Sequence, residues 1–162
     1  MNWLLFWLFL HVAGAIFAFG PALVFPIVAS LAAREANYGH FAAEVNHAIA
    51  QRLVLPAASS MLVSGVGLII ASGVNLTRAP WLGAGIILYL VTMGVATGVL
   101  LPAGRKLVEA TAGALPSGPA TGAPDGPPPH LAALIKRLQV GGMILVGLVV
   151  VIIFLMVVKP GG

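Results

Sequence analysis

Four long apolar runs constrain this chain more than any other feature. They occupy residues 3–31, 53–72, 81–101 and 138–158 of 162, and none contains an Asp, Glu, Lys or Arg. A helix rises 1.5 Å per residue, so about 20 residues cross a hydrocarbon core roughly 30 Å thick. The expected fold is therefore all-α, an integral membrane bundle of four transmembrane helices that forms a single membrane domain over residues 1–162. The charged fraction is 7% and the mean hydropathy +1.07, whereas a soluble domain carries roughly a quarter charged residues.

The minority residues set orientation and exclude several chemistries. Arg34, Arg52, Arg105, Lys106, Lys136 and Arg137 fall in the first and third loops, while Arg78 and Lys159 fall on the other side. Cytoplasmic loops are enriched in Lys and Arg, so both termini are expected on the extracytoplasmic side of a cytoplasmic membrane that the chain crosses several times. The basic residues flank spans and form no stripe, which argues against a nucleic-acid partner. Arg105 with Lys106 and Lys136 with Arg137 read first as topology charges, with anionic headgroups as a second role. The chain has no cysteine, so thiolate metal sites and iron-sulfur clusters are excluded. A redox role would rest on histidine. The lack of charge inside the spans weakens a proton-coupled transporter reading, and no nucleotide-binding loop or nucleophile elbow is present.

Proline and small residues shape the spans. Pro21 and Pro26 predict a bend in the inner half of the first helix, and Pro56 interrupts the second. Residues 113–129 are rich in Gly, Pro, Ala and Thr and are expected to form a flexible loop. Small residues four apart let helices approach in lipid. Gly14 with Ala18, Ser60 with Ser64 and Gly94 with Gly98 are thus expected contact faces. The large aliphatic run 145–158 suits lipid or a partner subunit, whether another protein or a second copy. Trp3, Trp7 and Trp81 sit where aromatic anchors meet the outer interface.

His11 is the leading candidate for chemistry. It lies about a third of the way into the first span, where an ionisable group marks function by default. Gly14 and Ala18 follow on its face and leave a slot for a flat macrocycle, and neutral imidazole is the usual protein ligand for haem iron and for several transition metals, so His11 is a candidate ligand for either. This pattern points to haem b. The competing reading is a core histidine hydrogen-bonded to Ser60, Ser64, Thr92 or a carbonyl. Met61 and Met93, at similar depth, are candidate second axial ligands. Separately, His40, Glu44 and His47 share a helical face if the second helix starts near Gly39, a set that suits a divalent metal such as zinc or iron. A solvated polar face would carry the same residues.

Three stretches add a resemblance. Leu10 to Ala15 with Phe19-Gly20-Pro21, Arg52 to Pro56 with Ser64-Gly65, and Leu101-Pro102 with Arg105 resemble a bacterial family of predicted four-helix integral membrane proteins, the domain of unknown function 2269. The layout is also similar to the J-type protoporphyrinogen IX oxidase and to the copper-resistance CopD domain. In the oxidase family a first-helix histidine is associated with haem, which the resemblance carries over to His11. The expected function is a small membrane-embedded haem-binding or redox protein, part of a respiratory or cofactor-handling assembly. Its rivals are a cofactor-free accessory membrane subunit and a copper or small-solute permease.

Overall fold

A computed structural model describes residues 2–32, 38–112 and 128–160. Four helices in it are long and apolar enough to cross a membrane: α1, Trp3–Ala32; α2, Gly39–Ser72; α3, Pro80–Ala112; and α4, Pro129–Val158. Among the described residues there is no strand, and the fold is all-helical. Most of the segment expected as a flexible loop, residues 113–127, lies outside the described residues.

Local sequence explains where these helices start and stop. Pro80 and Pro129 stand at the first positions of α3 and α4, where a missing N–H costs nothing and the fixed φ already suits the helix. α2 ends at Gly73, whose φ of +64° is left-handed and whose N–H donates to the Ile69 carbonyl at 3.2 Å. The Asn75 carboxamide then accepts from the Thr77 backbone N–H and hydroxyl, at 3.0 and 2.6 Å, and shapes a short turn to α3.

The spans are longer than their apolar runs. At 1.5 Å per residue the 34-residue α2 is about 51 Å long, well beyond a hydrocarbon core of roughly 30 Å. α2 begins at Gly39, α3 continues to Ala112 and α4 starts at Pro129, each beyond the end of its apolar run. Of the added residues only Pro102 stands as a proline past the first turn of a helix, and a π turn accommodates it, so the polar residues continue the helices past the membrane boundary.

The prolines inside the spans are accommodated in two ways. α1 is interrupted at Gly20, where a Cβ would lie 2.7 Å from the Ile16 carbonyl oxygen. Only glycine fits there without displacement, and Pro21 restarts the helix, which then runs through Pro26 to Ala32. α2 and α3 instead widen into π turns, Ala50–Val54 and Ala96–Leu100, each ending two residues before a proline, Pro56 and Pro102. A proline ring clashes with the carbonyl four residues back, and Arg52 and Gly98 both lie inside the wide turns. The bulges displace the two carbonyls that would otherwise collide.

With the end of the bundle that carries Trp3 and Lys159 called outer and the opposite end inner, the strongest seam joins the outer parts of α1 and α2; α3 packs along α4, and the inner ends of α2 and α3 meet. Six of the eight buried apolar residues are alanines, so backbone proximity dominates the packing, as expected where lipid removes the hydrophobic drive between helices. Ala18, Ala58 and Met61 form a core cluster with Tyr89 and Met93 against it, and the Tyr89 hydroxyl donates to the Ala58 carbonyl, tying α3 to α2. At the outer end, the Lys159 ammonium lies 5.5 Å from the Trp81 ring centroid, a cation–π contact between the end of α4 and the start of α3.

Glycine separates the expected contact faces from the real ones. Gly14 is buried, and a Cβ there would stand 2.8 Å from Met61 Cγ and 3.1 Å from Ser60 Oγ. Gly94 and Gly98, expected as a second contact face, have nothing within 4 Å of such a Cβ. Spacing defines a face, and only tertiary packing supplies its partner. The tight contacts that spacing did not reveal are Gly67 under the Trp7 ring, Gly85 against Met156 and Gly141 against Leu100.

Candidate functional site

His11 projects from α1 toward Ser64, the one described side chain that is completely buried. The His11 Nδ1 stands 3.2 Å from the Met61 carbonyl oxygen and 3.2 Å from the Ser64 Oγ. A carbonyl can only accept, so Nδ1 carries the proton and donates to both oxygens. The Ser64 hydroxyl sends its own hydrogen to the Ser60 carbonyl at 2.8 Å, which leaves a lone pair for the imidazole. In the neutral imidazole this chain of bonds places the proton on Nδ1 and leaves Nε2 as an acceptor. No described residue donates to that nitrogen.

The ring also lies along Gly65 of α2, where a Cβ would stand in ordinary van der Waals contact, 3.5 Å from the His11 Cε1 and 3.7 Å from Nδ1. One turn outward, Trp7 covers Gly67; one turn inward, Gly14 receives Met61 and Ser60. The seam therefore reads, along α1, as tryptophan, histidine, glycine and alanine at positions 7, 11, 14 and 18.

The other candidates divide between this seam and a second one. Gly14 and Ala18 both face α2, so the slot beside them is filled by that helix. Met61 offers its backbone carbonyl to His11, while its side chain belongs to the Ala18 and Ala58 cluster, against which Met93 also packs. His40 and His47 lie seven residues apart in a separate seam between the inner ends of α2 and α3. His40 Nδ1 is 3.1 Å from the Thr111 hydroxyl, which donates to the Leu107 carbonyl and so accepts from the ring. A Cβ on Gly104 would lie 3.3 Å from His47 Nδ1. Glu44 is exposed, and among the described residues no three His, Cys, Asp or Glu side chains come together to hold a metal ion. The seven-residue repeat of an antiparallel contact takes the two imidazoles into the seam and leaves the carboxylate outside it.

Sequence reasoning anticipated Ser64 and a carbonyl as hydrogen-bond partners of His11, which Ser64 and Met61 supply, and missed Gly65. The Ser64-Gly65 pair was the available signal, since a hydroxyl beside a glycine marks a helix face that can both accept a hydrogen bond and admit a ring. Comparison with known proteins adds one match: the model of a family described as predicted integral membrane protein (DUF2269) covers residues 5–160. No curated protein and no solved structure matches.

Proposed function

The chain belongs to this family of predicted integral membrane proteins, and from that premise and the geometry of His11 we propose that it is a small haem-binding membrane protein serving a respiratory or cofactor-handling assembly. The observation that carries the reading is the hydrogen bonding of Nδ1 to Met61 and Ser64. A ligating imidazole characteristically donates its other N–H to a carbonyl or similar acceptor, which orients the ring and raises its basicity. In hydrocarbon, an unpartnered Nε2 lone pair lacks the water that would satisfy it elsewhere. Iron is a chemically suitable partner.

Of the residues at this seam, one imidazole is placed to hold such a group. His11 would hold the iron through Nε2, with Ser64 and Met61 setting the tautomer, and Gly65 lying along the ring. The Met61 and Met93 side chains are committed to the core cluster and would not hold the iron in this arrangement. Bound haem would supply one-electron chemistry, and the apolar surroundings would restrict access of water to it. By the distribution of basic residues, the site lies nearer the extracytoplasmic face of the inner membrane.

The test is the visible spectrum of protein expressed with ample haem and iron. Wild type is expected to show a Soret band, and His11→Ala to lose it while still inserting into the membrane. Wild-type protein that purifies colourless and metal-free would overturn the proposal. The exposed aliphatic side of α4, with Val150, Ile153, Phe154 and Val157 at its surface, would then favour a cofactor-free accessory subunit.

A further inference from the structure

A second site lies at the inner membrane boundary, where both π turns face one pocket. His47 and Gln51 from α2, and Thr97, Leu101, Pro102 and Arg105 from α3, line a cavity of about 230 Å³. Gln51 and Thr97 sit within the wide turns themselves. π bulges inside α-helices recur at functional sites, and here the two prolines that require them also open the space between the helices.

The donor chemistry of the pocket selects an anion. Arg105 supplies a guanidinium, Gln51 an amide and His47 an imidazole, and no acidic residue lines the cavity. Arg105 uses Nε toward Glu109 at 3.4 Å, with both side chains mostly exposed, which leaves its terminal nitrogens available. The other nearby carboxylate, Glu44, is exposed one turn before His47. Thr97 donates to the Met93 carbonyl at 2.8 Å and is occupied as a donor. Leu101 and Pro102 add an apolar wall. A planar guanidinium matches a phosphoryl group through paired hydrogen bonds, and an apolar wall beside it suits the chain of a lipid.

We propose that this pocket binds a phosphoryl oxyanion at the inner membrane boundary, through Arg105, Gln51 and His47. The phosphoryl group can come from an anionic phospholipid headgroup or from free phosphate, and the experiment separates the two. Full-length protein in phosphatidylcholine nanodiscs is compared with protein in discs containing phosphatidylglycerol, and with phosphatidylcholine discs given inorganic phosphate. The readouts are the thermal midpoint and the phosphatidylglycerol adducts retained in native mass spectra. Losing a hydrogen bond to a charged group is worth about 1.5–3 kcal/mol, or about tenfold and upward in affinity.

Wild type is expected to gain stability from phosphatidylglycerol and to retain it about tenfold more than Arg105→Gln or His47→Gln. A gain from inorganic phosphate alone, lost in the same variants, would identify free phosphate as the source. Arg52→Gln and Arg78→Gln, which remove exposed charge outside the pocket, are expected to bind as wild type. Equal losses in all four variants would mean generic surface attraction and would overturn the proposal, as would the absence of any difference between wild type and Arg105→Gln.

Discussion

The imidazole of His11 and the hydroxyl of Ser64, 53 residues apart in sequence, meet at 3.2 Å inside the α1–α2 seam. Ser64 is wholly buried, and its own hydrogen is directed to the Ser60 carbonyl. It therefore accepts from His11 and, in the neutral imidazole, fixes which ring nitrogen is protonated.

Ser64→Ala removes one of the two acceptors for His11 Nδ1 and leaves the Met61 carbonyl in place. The expected loss is about 1 kcal/mol of stability, typical of one hydrogen bond, measured as a lower unfolding midpoint in detergent. In haem-loaded protein the same change is expected to weaken retention about tenfold, as for other groups that orient a ligating histidine. Unchanged stability together with unchanged retention would show that the bond has no energetic role.

Gly67→Ala places a methyl group 2.6 Å from two ring carbons of Trp7. Overpacking of this kind is expected to destabilise by about 1–3 kcal/mol. Gly94→Ala meets open space and is expected to be neutral or stabilising by up to about 1 kcal/mol, following helix propensity. Gly85→Ala should fall between them, because it meets the flexible end of Met156. Unfolding titrations of the three variants give the order, and a Gly94→Ala cost equal to that of Gly67→Ala would contradict the packing described.

Thr111→Val deletes the hydroxyl that accepts from His40 across the inner seam. A loss of about 0.5–1.5 kcal/mol is expected, with opening of the α2–α3 inner ends detectable as faster amide exchange around His40 and Thr111. Exchange unchanged at both positions would indicate that alanine packing alone holds this end.

The excess of basic residues in the first and third loops predicts that both termini face outward. A reporter active only in the cytoplasm, fused after Gly162, should be silent, while an exported reporter at the same point should be active. The opposite pattern would reverse the orientation.

The amino-acid sequence by itself determined that four helices cross a membrane, because apolar length and the cost of unsatisfied backbone in lipid leave few alternatives. It also singled out His11, since an imidazole among aliphatic side chains is conspicuous without any knowledge of its neighbours. Where the helices end was less legible: polar residues such as those at 39–52 leave the membrane without leaving the helix, and hydropathy reports only the first event. Only tertiary structure decided which glycines matter, because Gly67 and Gly94 differ in what another helix places against them. It likewise decided that His40 and His47 enter a seam while Glu44 stays outside, and that Pro56 and Pro102 generate paired π turns around one pocket. These outcomes depend on the rotation and registry of one helix against another, which many distant contacts set together and no single stretch of sequence encodes.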